Sequence, residues 1–238
     1  TVREDRSRTS LNLPGRQEEL VKAVCATGKP VVLVLLDGRA SSINYAAAHV
    51  PAILHAWFPG EFCGQAVAEA LFGDYNPGGR LAVTFPKSVG QIPFAFPFKP
   101  GSDESSSTSV YGVLYPFGHG LSYTTFSYGD LKISPLRQGV QGDINISCKI
   151  KNTGKIKVQL YLRDEVSSVT TYTKVLRGFE RISLEAGEEQ MVHFRLRPQD
   201  LGLWDKNMNF RVEPGKFKVM IGSSSTDIRL HGRFEIAP

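Results

Sequence analysis

AILHAWFPGEFCGQAVAEALFGDYNPGGRL, residues 52–81, decides how the first half of this chain is read. AILHAW (52–57) is a short apolar run of the kind that forms a buried strand. Pro59-Gly60 turns the chain, and Glu61 to Phe72 carries Phe62, Ala66, Val67, Ala70 and Leu71 at helical spacing. Asn76-Pro77-Gly78-Gly79 is a second turn, feeding RLAVTF (80–85), which reads as another strand. A phosphate-binding loop would need GxxxxGK[ST], or GxGxxG directly after the strand, and neither is present. The stretch is a joint in an α/β arrangement.

The same alternation extends towards the N-terminus. LPGRQEELVKAVCATG (13–28) has Leu20, Ala23 and Val24 on a helical face, with Pro14 suited to its first turn and Gly28 to its end. VVLVLL (31–36) is apolar at every position, as expected of a parallel strand covered on both faces. SSINYAAAHV (41–50) reads as a short crossover helix. Towards the C-terminus a Pro, Gly and Ser-rich stretch (97–113) predicts a long surface loop, and beyond it the period changes to two. DINISCKI places Ile144, Ile146, Cys148 and Ile150 on one face, with Asn145, Ser147 and Lys149 on the other. VQLYLRD, MVHFRLRP, KFKVMIG and DIRLHGRFEI continue the alternation. Turn signals at Asn152-Thr153-Gly154, Glu185-Ala186-Gly187 and Glu213-Pro214-Gly215 separate the runs, predicting an antiparallel β-sandwich with Phe179, Phe194 and Phe217 as core aromatics. The domains expected are residues 1–121 (α/β, a partial three-layer sandwich with a mostly parallel sheet) and 122–238 (all-β, immunoglobulin or fibronectin type III-like).

At 238 residues the chain can build a sizeable core. Its charge of +5 is scattered: Lys149, Lys151, Lys155 and Lys157 alternate along strand and turn, a solvated face. No basic run interleaved with aromatics points to nucleic acid. No apolar stretch approaches the ~20 residues of a membrane span. Residues 1–10, TVREDRSRTS, are too polar for a signal peptide, and the missing initiator Met leads us to expect a piece of a longer protein. Cys25, Cys63 and Cys148 lack CxxC spacing and clustered His, so they read as small apolar residues and no metal site is expected.

Four stretches in order, GRQEELVKAVCATGKPVVLVLLDGRA, the one quoted first, TFPKSVGQIPF and LYPFGHGLSYTTFSY, resemble the C-terminal part of family 3 glycoside hydrolases, β-glucosidases with β-xylosidases as close relatives. VQLYLRD, LRGFERISLEAGE and EPGKFKVMIGSSS resemble the fibronectin type III-like domain that many of these enzymes carry. The resemblance covers essentially the whole chain. It implies a retaining β-glycosidase without metal or organic cofactor, bacterial, and periplasmic or secreted. It further implies that a barrel domain with the nucleophilic Asp, and the first half of the α/β domain, lie outside this chain, which alone would be inactive. The partners implied are an oligosaccharide or β-glycoside substrate and the barrel domain.

Retaining glycosidases use two carboxyl groups ~5–5.5 Å apart. In the family the acid/base is often a Glu followed by three variable residues and Arg, shortly before Leu-x-Leu-Pro-Gly. Here Glu4-Asp5-Arg6-Ser7-Arg8 precedes Leu11-Asn12-Leu13-Pro14-Gly15, so Glu4 matches the acid/base and Arg8 the Arg. The alternative is a solvated charge near a frayed end. Asp37 follows a strand, where α/β sheets bind ligands, but DGRA also reads as a turn. Glu61 suits a helix start electrostatically. His49 and His55 sit in or beside apolar runs and are expected to be packed or hydrogen-bonded. His119, in YPFGHGLSY, suggests a domain contact and no proton transfer. Asn145-Ile146-Ser147 fits a glycosylation acceptor within a predicted strand. Cys63 stands where the family prefers Gly, and KNTGKIKVQLYLRD is shorter than the family pattern, leaving that strand's register open. Two functions compete, a β-glycosidase and a non-catalytic module binding carbohydrate or protein. An open edge at 31–36 further predicts self-association, most simply as a homodimer.

Overall fold

A computed structural model describes residues 8–91, 96–101 and 112–238, without the side chains of 152–157. The chain forms two compact units. Within the described residues the first comprises 8–75, 83–91 and 112–116, and the second 76–82, 96–101 and 117–238.

The first unit contains α1 (Gln17–Cys25), β1 (Val32–Leu35), α2 (Asn44–His49), β2 (Ala52–His55) and α3 (Cys63–Phe72). β1 and β2 pair in parallel with Val32 opposite Ala52 and Leu35 opposite His55, the crossover geometry expected of strand, helix, strand. Its core is small: Leu35, Ile43, Ala46 and Val50, with Val21, Cys25, Leu33 and Ile53 packed around them. Three expectations change here. The buried side of α1 is Val21 and Cys25, whereas Leu20, Ala23 and Val24 face outward. β1 is covered only in part, since Leu35 is buried, Leu33 and Val34 are half-buried, and Val32 and Leu36 are exposed. On α3 only Ala70 is buried, and Phe62, Ala66, Leu71 and Phe72 lie on the surface, Phe72 being 85% exposed. Apolar spacing marked the faces that want cover without saying which of them this chain covers.

RLAVTF is not a strand. Its backbone groups are satisfied at separate points by residues 114–119: Phe85 N–H donates to Tyr115 O (2.8 Å) and Leu114 N–H to Phe85 O (2.8 Å), while most of the loop expected at 97–113 lies outside the described residues. In the second unit Leu81 N–H donates to His119 O (2.8 Å) and Gly118 N–H to Leu81 O (2.7 Å). Single bridges do not make a ladder, and no neighbouring strand continues them among the described residues.

The second unit is the β-sandwich: β3 (Phe126–Ser134), β4 (Arg137–Gly139), β5 (Ile144–Asp164), β6 (Val175–Leu196), a helical turn α4 (Pro198–Leu201), β7 (Leu203–Trp204), β8 (Phe210–Arg211), β9 (Gly215–Gly222) and β10 (Ile228–Ala237). Two of the expected turns are bulges. β5 and β6 form one long antiparallel pair, Ile144 opposite Leu196 at one end and Leu162 opposite Val175 at the other. Where Asn152-Thr153-Gly154 and Glu185-Ala186-Gly187 face each other the register shifts, and Gly187 takes φ +81°. Irregularity in both partners at one level bends the pair without reversing either strand. Before the bend β5 also bonds β3, and after it β9. β9 runs antiparallel to β10, which pairs in parallel with β4.

The alternation read from DINISCKI is borne out: Ile144, Ile146, Cys148 and Ile150 are all fully buried. They join Leu160, Leu162, Val192, Phe217, Val219, Ile221 and Phe234 in one core, where Phe217 and Phe234 stack at 5.3 Å. Phe194 packs against this core, but Phe179 is exposed: Ile182 and Leu184 before the bulge and Val192 and Leu196 after it point inward, and Phe179 lies on the opposite face of β6. Of the lysine row, Lys149 meets Asp130 (2.8 Å) and Glu189 (3.6 Å), and Lys151 meets Glu189 (3.2 Å), whereas the side chains of Lys155 and Lys157 lie outside the described ones.

Candidate functional site

In the first unit, chemistry-bearing side chains gather where β1 and β2 end, the edge at which parallel α/β sheets bind ligands. β1 runs out through Leu36 into Asp37, whose Oδ2 accepts from Ser41 Oγ (2.5 Å). Ser41 and Ser42 are both buried. Ser42 Oγ donates to Pro86 O (3.0 Å), and Asn44 Nδ2 donates to Lys87 O (2.8 Å). Asp37 is therefore both a turn residue and one partner in a small polar network.

β2 delivers His55 to the same edge. Its ring lies 4.2 Å from that of Trp57 and 5.2 Å from that of Phe85, edge-on to both, and Phe85 continues to Tyr115 at 6.2 Å. Burial lowers the His55 pKa, only partly opposed by the charge of Asp37 and by the Arg39 backbone. The imidazole is thus held towards its neutral form. Trp57 takes φ +52°, uncommon for a bulky side chain, and the following Phe58-Pro59-Gly60 carries the chain to α3. Sequence reading missed this aromatic box, since Phe85 and Tyr115 come from far along the chain. The Trp-Phe-Pro-Gly run was its only local signal.

Glu4 lies outside the described residues. Arg8, its motif companion, donates through Nη2 to Asn12 O (2.5 Å). The neighbouring Leu11 O accepts from Ser42 N (2.8 Å), which ties the Leu-x-Leu-Pro-Gly segment to the polar network at the strand ends. Glu61 is exposed and precedes α3, which begins only at Cys63. His49 is packed and bonded: its Nδ1 lies 2.8 Å from Tyr45 O, and its ring stacks on Tyr45 at 4.2 Å. Cys148 is buried, which pushes its thiol up to about 11, and Cys25 and Cys63 are partly buried. Among the described residues no group of His, Cys, Asp and Glu could hold a metal.

His119 belongs to the second unit. Burial lowers its pKa, nearby Arg80 adds to this, and Asp227 opposes it. The adjacent Gly118, at φ +80°, is closed in by the sandwich: a Cβ there would overlap Gln159 Oε1 and lie 2.9 Å from the Tyr161 hydroxyl. Gln159 Nε2 donates to Gly118 O (3.2 Å) and Ser223 O (2.7 Å), and the Tyr161 hydroxyl donates to Gln159 Oε1. Those groups position backbone. Asn145, the glycosylation candidate, is exposed in mid-ladder between Ser134 and Arg195.

An α/β unit with a polar strand edge precedes an all-β sandwich in this chain. Residues 1–123 match the glycosyl hydrolase family 3 C-terminal domain and residues 157–225 a fibronectin type III-like domain. The chain belongs to glycosyl hydrolase family 3. It is 43% identical to a β-xylosidase of Formosa agariphila and 40% identical to a periplasmic β-glucosidase of Salmonella typhimurium, covering 94% and 97% of this chain. It spans 32% of the length of each of these relatives. The solved structure of a β-glucosidase from Erythrobacter marinus superposes with a TM-score of 0.93 at 41% identity, over 97% of this chain and 31% of that one. No helix among the described residues is long and apolar enough to cross a membrane.

Proposed function

We propose that this chain is the C-terminal portion of a retaining β-glycosidase acting on terminal β-linked glucosyl or xylosyl groups, with Glu4 as its acid/base. The observation that carries the reading is the anchoring of the Arg8–Leu13 segment at the carboxyl ends of β1 and β2 through Leu11 and Ser42. Glu4 stands four residues before Arg8, so its backbone can reach no further than roughly 14 Å from there. Glu4 would protonate the glycosidic oxygen as an upstream carboxylate attacks the anomeric carbon. It would then deprotonate the water that releases the sugar. The polar and aromatic groups at the edge, Asp37, Ser41, His55 and Trp57, would support the loop that holds it.

The test uses the full-length protein. Glu4→Gln is expected to lower kcat on cellobiose or xylobiose by about 10²–10⁴-fold. Added azide should restore turnover of a nitrophenyl glycoside and yield a glycosyl azide, because an anionic nucleophile needs no base. An unchanged kcat would remove Glu4 from the mechanism. The isolated chain should not release nitrophenol, since it would hold one carboxylate of the pair. Turnover by the isolated chain, lost in Glu4→Gln, would overturn the two-part reading.

A further inference from the structure

Arg80 and Tyr128 belong to the second unit and take no part in the proposed hydrolysis. Arg80 follows the Asn76-Pro77-Gly78-Gly79 turn and is half-buried. Its side chain is pinned against backbone: a Cβ on Gly120 would come within 2.9 Å of Arg80 Cδ and 3.0 Å of Nη1. Nη1 donates to Gly79 O (2.8 Å) and Leu121 O (3.5 Å), both neutral acceptors. Nε is buried and has no hydrogen-bond partner among the described residues. The same holds for the hydroxyl of Tyr128 on β3. A buried donor left unmet is costly, and more so on a cation.

Among the described residues nothing neutralises Arg80. Burial lowers its pKa and only Tyr128 opposes this, so no carboxylate acts on it. Asp227, whose charge reaches Tyr128 and His119, is already engaged. It accepts from Arg229 Nε (2.5 Å) and Nη2 (2.9 Å) and from Ser223 Oγ (2.5 Å). His119 also feels the charge of Arg80, but an imidazole is neutral or cationic and offsets nothing.

The two open groups are of one kind. An arginine Nε–H can only donate. Burial raises the Tyr128 pKa far beyond the ordinary tyrosine range, with Asp227 adding to this and Arg229 and Arg80 opposing it. The hydroxyl therefore keeps its proton and can donate as well. Each side chain lies within the other's electrostatic reach. Two donors beside an unbalanced positive charge suit a compact, negatively charged acceptor with no proton of its own. A water would bring two protons that need further acceptors, and it would leave the charge unbalanced. A carboxylate would present about four lone-pair sites to two donors. We propose that Arg80 Nε and the Tyr128 hydroxyl hold a single chloride-sized anion within the second unit, tying residues 76–82 to β3. The anion would be a structural ligand of the sandwich and would take part in no chemistry.

The test follows urea unfolding of the whole chain at one ionic strength, with sodium chloride, bromide or gluconate as the salt. Gluconate is too large for the site. Chloride and bromide should raise the unfolding midpoint of the second unit above its value in gluconate, saturating in the millimolar range as a ligand of the folded state does. Broadening of the chloride NMR resonance by the folded chain reports binding directly, and bromide should reverse it. Arg80→Met should abolish both effects. Tyr128→Phe should weaken the apparent affinity by about fivefold, the worth of one hydrogen bond. Crystals grown in bromide should show an anomalous peak within hydrogen-bond distance of Arg80 Nε and the Tyr128 hydroxyl. Equal midpoints in chloride and gluconate, halide effects undiminished in Arg80→Met, or bromide peaks only elsewhere would overturn the proposal. The salt comparison and the bromide map need no variant, so they decide the matter even if Arg80→Met does not fold.

Discussion

The β-sandwich and the α/β unit are built from equally apolar segments, yet they end with different interiors. Among the described residues the sandwich gathers seventeen buried side chains into one cluster, from Ile144 to Ile236, whereas the α/β unit gathers four. The long β5–β6 pair supplies both sides of a closed core by bending once. α1, β1 and α3 present comparable apolar surface and leave much of it in water. Burial, at about 25 cal/mol per Å² of apolar surface, follows what a segment meets more than what it is made of.

Core truncation is the harshest way to probe that difference. Leu160→Ala should destabilise the sandwich by about 3–5 kcal/mol, since Leu160 is fully buried within the large cluster. Leu35→Ala should cost the α/β unit about 2 kcal/mol, because a small cluster with an open border can relax into the space. Urea unfolding followed by hydrogen exchange in each unit measures both, and equal losses would break the contrast. Gly118→Ala should cost about 2 kcal/mol through its left-handed backbone and the overlap with Gln159. Gln159→Ala in the same chain should recover the steric part and leave the backbone part.

Acid should act on Asp164 and His55 in opposite directions. Burial pushes Asp164, in the sandwich, up to about 6, with the nearby Glu213 adding to this and the Val166 N–H opposing it. The folded sandwich therefore takes up a proton before the unfolded chain does, and it gains stability as pH falls from about 7 towards 4. His55 is lowered by burial, so there the unfolded chain takes up the proton first. The α/β unit loses stability as pH falls through the ordinary His range near 6.5. His119, lowered by burial in the second unit, opposes the Asp164 gain there, so hydrogen exchange at pH 7 and pH 5 is compared between the unsubstituted chain and a variant at each residue. Asp164→Asn should remove the first trend, and His55→Gln the second.

The smallest expected effect on stability is at α3. Phe72→Ser should change unfolding free energy by no more than about 0.5 kcal/mol, because that ring is already in water. The same change should reduce association of the isolated chain, which we expect to self-associate through the open apolar faces of the α/β unit and the edge of β1. A strict monomer in sedimentation at tens of micromolar would contradict this.

Much of this contrast was legible in sequence and part was not. A period of two in DINISCKI and KFKVMIG fixes both an inward face and its neighbours, since an alternating strand has only two sides. The helices were found, but their buried sides were not. Leu20 and Val24 are as apolar as Val21 and Cys25, and only the neighbours decide among them. Gly154 and Gly187 signal irregular backbone, and a bulge shares that signal with a turn. The polar edge was readable at Asp37, whereas the box of His55, Trp57, Phe85 and Tyr115 depends on contacts that no local pattern encodes.

Residues 76–82 and 96–101 belong to the sandwich unit although they precede it in the chain, separated from it by stretches of the other unit. Leu81 bonds Gly118 and His119, Asn76 Oδ1 accepts from Ser122 Oγ and Tyr123 N, and Phe98 O accepts from Thr173 N. The sandwich is thus not heritable as a single cassette. A recombination breakpoint at residue 122 would join the body of one parent's sandwich to the seams of another's. Chimaeras between family members should work best when those two short stretches travel with residues 117–238 from the same parent.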